Sequence, residues 1–274
     1  MTWRADVPLH EDATASPLFR AWLRGDEAAG SARDELVAVG SDPSGPAPLI
    51  TAGWAPRVGA DDPRTVSNLE ALGRGAARAV VTGQQPGRLG GPLYTLFKIA
   101  TAVGLARRST AAGHPAVPVY WSGDADDDRN EALRPRVWDP RSPGGLALER
   151  GPGRKGPGRR HPMVGRLRAG ETVRLEAAWL ASVADRGGAA ATLARLWNMA
   201  VEEDWTLAHL QAETDRKLFP AVGLVVVSGD DPAVHAAAAP LYQRILADLP
   251  GLAAAVSRRG EELAARGYHA QLAG

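Results

Sequence analysis

The segment 83–92 (GQQPGRLGGP) contains the residue types best suited to chemistry. It holds four glycines and the adjacent carboxamides Gln84 and Gln85, and it lies between a predicted strand and a predicted helix. Glycines allow the backbone to approach a ligand closely, and the start of a helix offers unpaired N–H groups and a positive dipole end to an anion. This segment, here called the glycine turn, matches neither the P-loop nor the dinucleotide-binding GxGxxG motif. We interpret it as a site for an anion or a polar substrate, although a tight strand–helix turn needs glycine in any case.

Tyr94 and Lys98 lie four residues apart on the helix predicted to follow the glycine turn. Residues at that spacing share one helix face, and we predict that this face points away from the buried stripe. Lys98 is one of only three lysines among 32 basic residues, so a lysine here favours a specific role. The alternative interpretation is a solvated surface lysine.

The segment 124–128 (DADDD), here called the acidic run, follows a second predicted strand. Four carboxylates in five residues repel one another unless a cation is near. The pattern fits a divalent-metal site or an amine-binding site, and the alternative is a solvated loop in which Asp forms turns. Ligands bind beyond the carboxyl ends of the strands in an open parallel sheet. The glycine turn, the acidic run and the segment 229–231 (GDD) are all predicted at that edge.

The composition excludes several classes of protein. Of 274 residues, 45% are hydrophobic and 23% are charged, as in an ordinary globular chain. The absence of cysteine excludes disulfides, thiolate catalysis and cysteine-bound metals, and the six histidines show no metal-binding spacing, so we assign no metal ligand. The net charge of +1 gives no electrostatic reason to bind nucleic acid or an anionic membrane. No apolar stretch is long enough for a membrane span, and residues 1–12 lack the core of a secretory signal, so we expect a cytoplasmic location.

The order of the predicted elements favours an α/β fold. Strands at 79–82, a buried run, and at 116–121 flank a helix at 92–108, and this βαβ unit predicts parallel strands with a right-handed crossover. Pro118 argues against a central position for the second strand, and a third strand is predicted at 222–227. Helical spacing predicts that the buried stripe of the 92–108 helix consists of Leu93, Leu96, Phe97, Ala100, Val103 and Gly104.

Four segments are predicted along the chain. They are an N-terminal segment at 1–75 that packs on the core, the βαβ unit at 76–137, a flexible basic Gly/Pro insertion at 138–170, and a helical segment with a further core strand and helices at 171–274. The insertion fits an anion clamp or, as the favoured interpretation, a solvated loop. Further helices are predicted at 16–22, at 65–74, twice within 189–219 with the second beginning near Trp205, at 232–248, and at 252–266 with Gly267 ending it.

These motifs resemble those of a known family. Residues 80–87 (VVTGQQPG), 91–95 (GPLYT) and Lys98 are similar to the VTGQQxG…GPxYTxxK signature of the bacillithiol biosynthesis cysteine-adding enzyme (BshC) family. The segments 118–131 and 223–232, and a third at 263–271, are similar to softer motifs of the same family. The resemblance therefore spans about residues 76–272, the N-terminal half of the family pattern.

The resemblance implies a Rossmann-like parallel sheet with helices on both faces and inserted helical segments. It also implies a ligase that joins the carboxyl group of cysteine to the amine of glucosaminyl-malate as an amide. Amide formation from a free acid is uphill in water, so activation by ATP with magnesium is expected. The expected partners are these small molecules, with no nucleic acid and no membrane. A homodimer or a second chain supplying the C-terminal half is also expected, because family members are about twice this length.

Carried over to this chain, the family motifs imply that Lys98, Asp126 and Asp128 are catalytic. Lys98 would pair with a carboxylate or a phosphate, and the two aspartates would hold an amine or a magnesium ion. The implied substrate-binding residues are Gly83, Gln84, Gln85, Gly87, Tyr94, Trp121 and Glu131. Ala125 and Asp127 stand where the family has Glu and His, so acid–base chemistry by that His is not implied for this chain.

Two alternatives stay open on the residues. A shortened, non-catalytic homologue would bind a metabolite or a partner without turnover and would expose an apolar edge. A metal-dependent glycosyltransferase would use Asp124 and Asp126 as a DxD motif, but it would leave Gln84, Gln85 and Lys98 without a role.

Overall fold

The computed structural model of the chain describes residues 16–26, 62–133, 136–137, 146–147, 163–183 and 188–270. The chain divides into two compact units. The larger unit is Pro48–Ala237, and the smaller one combines Met1–Ala47 with Ala238–Gly274.

Helices dominate the described residues. The α-helices are α1 Pro17–Arg24, α2 Pro63–Gly73, α3 Leu93–Ala111, α4 Arg129–Leu133, α5 Glu171–Val183, α6 Ala189–Glu202, α7 Leu207–Leu218, α8 Pro232–Ala247 and α9 Leu249–Ala265. The strands are β1 Arg78–Gln84, β2 Ala116–Ser122, β3 Arg136–Val137, β4 Leu146–Ala147 and β5 Val225–Ser228, and short 3-10 turns span Arg88–Gly90 and Val164–Arg166. None of the described helices has the length and hydropathy that a membrane span requires.

The larger unit is built on a parallel sheet with the strand order β1-β2-β5. This confirms the predicted βαβ unit and the α/β class. The prediction that Pro118 keeps β2 out of a central position is wrong. Pairing with β5 begins at Val119, one residue beyond the proline, so the missing N–H of Pro118 faces no strand on that side.

Helices cover both faces of this sheet because successive side chains of a strand point to opposite sides. On one face, α3 packs Ile99 and Val103 against Tyr120 and Val226. On the other face, α2 packs Leu69 and Leu72 into a cluster with side chains of β2 and β5, namely Val117, Val119, Val225 and Val227. The part of the predicted 1–75 segment that is described in this unit therefore packs on the core.

Two predictions about burial in the βαβ unit are wrong. The buried residues of α3 are Thr95, Ile99, Ala102, Val103 and Ala106, of which only Val103 was in the predicted stripe. Leu93 and Phe97 are 66% and 64% exposed. Apolar residues occur all around this helix, and the face that packs on the sheet is the one with Ile99 and Val103. Val81 is 59% exposed, because β1 is an edge strand of the described sheet rather than a strand buried on both faces.

A second core holds α5, α6 and α7 together through side chains such as Val173, Trp197 and Leu210. The indole Nε1 of Trp197 donates to Oγ1 of Thr214 at 3.0 Å. Both helices predicted within 189–219 are confirmed, and Thr206 caps α7 by accepting from the His209 N–H. Most of the predicted insertion at 138–170 lies outside the described residues, but its end at 163–170 is packed, since Val164 is fully buried in this core.

The smaller unit contains α1, α9 and the end of α8. Ser16 Oγ accepts from the Phe19 N–H at 3.2 Å, and Pro17 lies in the first turn of α1, the helix predicted at 16–22. Asp248 caps α9, and Gly267, with φ +79°, ends it through a bond from the Tyr268 N–H to the Leu263 carbonyl. The predicted helices at 232–248 and 252–266 are thus confirmed.

Candidate functional site

The carboxyl ends of β1 and β2 bring the glycine turn and the acidic run together. Gln85 Nε2 donates to Oδ2 of Asp126 at 2.7 Å, and the Gly123 N–H donates to the Gln84 carbonyl at 2.9 Å. Parallel strands place their carboxyl ends at one edge of a sheet, so two clusters far apart in the sequence form one surface.

Gln84 is the centre of this surface. Its Oε1 accepts from Lys98 Nζ at 2.9 Å, and its Nε2 donates to Gln85 Oε1 at 2.6 Å and to the Tyr94 hydroxyl at 2.8 Å. Lys98 Nζ also donates to the Gly83 carbonyl at 3.2 Å and lies 5.1 Å from the centre of the Tyr94 ring. We call Gln84, Gln85, Tyr94, Lys98 and Asp126 the site wall.

Lys98 and Tyr94 lie on the exposed side of α3, as predicted. Both acceptors that Lys98 has within the described residues are neutral, a backbone carbonyl and a carboxamide. Within the described residues, no carboxylate pairs with the Lys98 ammonium. This positive charge at the site wall is therefore suited to an anionic ligand.

Backbone crowding explains several glycines of the turn. A Cβ on Gly87 would lie 2.7 Å from the Gly91 Cα, and a Cβ on Gly83 would lie 2.9 Å from the Trp121 carbonyl oxygen. Gly90 and Gly91 have positive φ, as does Leu89 at 56°. Gly83 and Gly87, both predicted to bind substrate, thus have a structural reason to be glycine, and their substrate contact stays a prediction.

A buried pair on α7, which was not predicted from the sequence, supports the glycine turn. Gln211 Oε1 accepts from the Gly87 N–H at 3.2 Å, and its Nε2 donates to the Gly90 carbonyl at 3.1 Å and to the Asp215 carboxylate at 2.9 and 3.0 Å. Gln211 is 2% exposed and Asp215 is fully buried. Burial raises the pKa of Asp215 to about 7, while the Gln211 bond opposes the rise. The sequence signal that could have indicated this pair is a Gln and an Asp four residues apart on one helix.

A buried ion pair lies beneath the same turn. Arg88 contacts Glu176 of α5 through its guanidinium, and Arg88 also donates to the Leu133 carbonyl at 3.1 Å. Both charged side chains are less than a tenth exposed. Burial raises the pKa of Glu176, although the Arg88 charge opposes this. The glycine turn is therefore fixed from below by two separate polar contacts.

The acidic run divides into a buried and an exposed part. Asp124 is 2% exposed, and its carboxylate accepts from Ser228 Oγ at 2.6 Å and from the Asp230 N–H at 3.0 Å. Burial raises the pKa of Asp124, while these two hydrogen bonds act in the opposite direction. Asp126 and Asp128 are exposed, and Asp126 accepts from the Asp128 N–H at 3.0 Å.

One predicted substrate-binding residue, Trp121, does not join the site wall in the structure. Trp121 faces the α2 side of the sheet, where it packs beside Val117 and Val119. Tyr120 faces the α3 side instead, and its hydroxyl donates to the Gln84 carbonyl at 3.1 Å. Glu131 belongs to α4, but its side chain is outside the described part of the structure.

The described residues contain no group of three or more His, Asp or Glu side chains that could hold a metal ion. Asp124 is engaged with β5 and its loop, whereas Asp126 is engaged with Gln85. The geometry therefore gives no support to a DxD metal site at these two residues.

A parallel sheet with helices on both faces and a glycine turn at the end of its edge strand defines a Rossmann-like domain. A family model described as "Bacillithiol biosynthesis BshC, N-terminal Rossmann-like domain" matches residues 55–274. The chain belongs to the BshC family, and it represents the N-terminal Rossmann-like domain of that family.

Curated relatives with the name "Putative cysteine ligase BshC" support this assignment. The relative from Koribacter versatilis is 33% identical over 216 residues, covering 79% of this chain and 38% of the relative. The relative from Solibacter usitatus is 30% identical, covering 98% of this chain and 48% of the relative. A third relative, from Desulforamulus reducens, is 46% identical over 69 residues. The chain spans less than half the length of the curated relatives that it matches.

Proposed function

We propose that this chain is the substrate-binding Rossmann-like part of a cysteine ligase of bacillithiol biosynthesis. The reaction joins the carboxyl group of cysteine to the amine of glucosaminyl-malate and forms an amide. One observation carries the proposal: the signature residues by which the chain resembles its family converge in the site wall, where Gln84 links Lys98, Tyr94 and Gln85.

The charges at the site wall suit glucosaminyl-malate. Its malate part carries two carboxylates, and Lys98 offers an ammonium whose described acceptors are neutral. Its sugar carries an amine and hydroxyl groups. The exposed carboxylates of Asp126 and Asp128 would accept hydrogen bonds from these groups. Gln84 and Gln85 would orient the ligand, because each carboxamide both donates and accepts.

ATP with magnesium belongs to the proposal as the source of activation for the cysteine carboxyl. Magnesium is usually bound by one or two carboxylates together with substrate phosphates. Asp126 and Asp128 are exposed, so as the alternative to the sugar amine they would hold a magnesium ion that arrives with the nucleotide. The start of α3 has no side-chain cap, which leaves its first turn suited to an anion.

This chain spans less than half the length of the curated relatives, so the activity of the full-length relatives is only proposed for it. We propose that turnover takes place in a homodimer or with a second polypeptide, and in the cytoplasm, where such small metabolites are made and used. The second candidate function is a non-catalytic metabolite-binding homologue. Ala125 and Asp127, which replace the family's Glu and His, favour that candidate.

The experiment is a search for the amide product by mass spectrometry. The purified chain is incubated with cysteine, glucosaminyl-malate, ATP and magnesium, alone and together with the C-terminal part of a curated relative. Formation of the cysteinyl amide in either mixture supports the ligase. Ligand binding without product in both mixtures would favour the non-catalytic candidate.

A further inference from the structure

A pocket of about 150 Å³ lies between the carboxyl ends of β2 and β5, beside the first turn of α7 and the Val164–Arg166 turn. None of the residues of the site wall lines it. Its polar lining includes Ser122, Asp124, Arg166, His209, Ser228 and Asp230.

Ser122 provides the first indication that this pocket takes a ligand. The residue is 3% exposed, and its hydroxyl has no hydrogen-bond partner within the described part of the chain. Ser228, its neighbour in the sheet register, donates to Asp124 instead. A buried hydroxyl without a partner is unfavourable, and a ligand in the pocket would supply the partner.

The charge balance of the pocket provides the second indication. Asp230 is paired with Arg166, which donates to its two oxygens at 2.6 and 2.7 Å. Within the described part of the chain, the hydrogen-bond donors to the Asp124 carboxylate are both neutral, the Ser228 hydroxyl and the Asp230 N–H. Burial lowers the pKa of His209, which favours its neutral form. The described lining thus holds more carboxyl groups than cationic side chains. Burial raises the pKa of Asp124, so a ligand cation beside it would favour its charged form.

A third carboxylate, Asp231, also lines the pocket and already accepts a hydrogen bond. Its Oδ1 accepts from the Ala233 N–H at 2.8 Å at the start of α8, where the helix dipole favours a negative charge. Asp124 is thus the carboxylate of the lining that is best placed to accept from a ligand cation.

We propose that this pocket binds a small zwitterionic amino acid, with its ammonium on Asp124 and Ser122 and its carboxylate near the first turn of α7. The positive end of the α7 dipole favours that orientation. A cavity of about 150 Å³ holds a molecule as large as benzene, and cysteine is only slightly larger. The choice of cysteine rests on the proposed function, whereas the choice of an ammonium rests on the pocket alone.

The test is calorimetric titration of the full chain with L-cysteine in reducing buffer and with N-acetyl-L-cysteine, which lacks the ammonium. Asp124→Asn can keep both present contacts, since the amide oxygen can accept from the Asp230 N–H and the amide nitrogen can donate to Ser228. Ser122→Ala removes a hydroxyl that has no described partner. Asp127→Asn, at an exposed position outside the lining, is the matched control.

We expect L-cysteine to bind and N-acetyl-L-cysteine not to bind. Asp124→Asn should weaken binding about tenfold or more, because a hydrogen bond to a charged group is lost. Ser122→Ala should also weaken binding, while its melting temperature stays equal to or above that of the wild type. Asp127→Asn should bind as the wild type does.

Three results would overturn the inference. In the first, both variants, Asp124→Asn and Ser122→Ala, bind cysteine as tightly as the wild type does. In the second, N-acetyl-L-cysteine binds as tightly as L-cysteine, and in the third, a wild-type chain that still binds glucosaminyl-malate does not bind cysteine. The last result would leave the proposed function standing. Cysteine binding without binding of glucosaminyl-malate would support the pocket and count against the function proposed for the site wall.

Discussion

Gln85 Nε2 lies 2.7 Å from Oδ2 of Asp126 and donates a hydrogen bond to it, although the two residues are 41 positions apart in the chain. This bond joins the glycine turn after β1 to the acidic run after β2. It holds a carboxamide and a carboxylate side by side at the edge of the sheet where Rossmann-like domains bind their ligands.

Replacing Gln85 tests whether this bond holds the acidic run in place. Gln85→Ala should lower the free energy of unfolding by less than about 1 kcal/mol, because the bond is exposed. Amide hydrogen exchange of residues 124–128 should become faster, while exchange in the middle of β2 stays unchanged. Unchanged exchange in the acidic run would show that other contacts position it.

Replacing Gln211 tests the buried support of the glycine turn. Gln211→Ala leaves the Gly87 N–H, the Gly90 carbonyl and Asp215 without their partner. We expect a loss of about 2–4 kcal/mol in the free energy of unfolding, measured by urea denaturation. Gln243→Ala is the matched control, since Gln243 is exposed on α8 and its loss should cost less than about 0.5 kcal/mol. Equal stability of the two variants would contradict the assigned role.

The buried carboxyl of Asp215 predicts a specific pH dependence. Its pKa in the folded chain is about 7, raised from 3.8, so between these values the folded state holds a proton that the unfolded state has released. The contribution of Asp215 to the free energy of unfolding is therefore full below about pH 4, and it is lost as the pH rises through 7.

The comparison of Asp215→Asn with the wild type isolates this effect. Both proteins keep Asp124 and Glu176, the other carboxyl groups whose pKa is raised by burial. The free energy of unfolding of the variant minus that of the wild type should rise by about 1–3 kcal/mol from pH 5 to pH 8. The measurement is urea denaturation of both proteins at the two pH values. A constant difference between them would contradict the raised pKa.

Local sequence patterns predicted the βαβ unit, the helix α1 and the end of α9, because each depends on residues that are neighbours in the chain. The face of α3 was not predictable in this way, since apolar residues lie on several sides of the helix and only packing against the sheet selects one of them. Tyr120 and Trp121 show the same limit, because the pattern does not tell which of two adjacent aromatic residues faces α3.

The residues of the site wall were predicted because a family motif contains them, and the meeting of Gln85 with Asp126 followed from the rule for parallel strands. Gln211 and Asp215 were missed because their role depends on a contact that spans more than 120 residues. Ser122 was missed because nothing in the sequence tells that its hydroxyl lacks a partner.

The central claim is that the site wall binds glucosaminyl-malate through Lys98, and calorimetric titration tests it most directly. The wild type, Lys98→Ala and the control Lys217→Ala, at an exposed lysine of α7 outside the site wall, are each titrated with glucosaminyl-malate. We expect the wild type and Lys217→Ala to bind alike and Lys98→Ala to bind at least about tenfold more weakly. Binding of equal strength by all three folded proteins, or by none of them, would contradict the account.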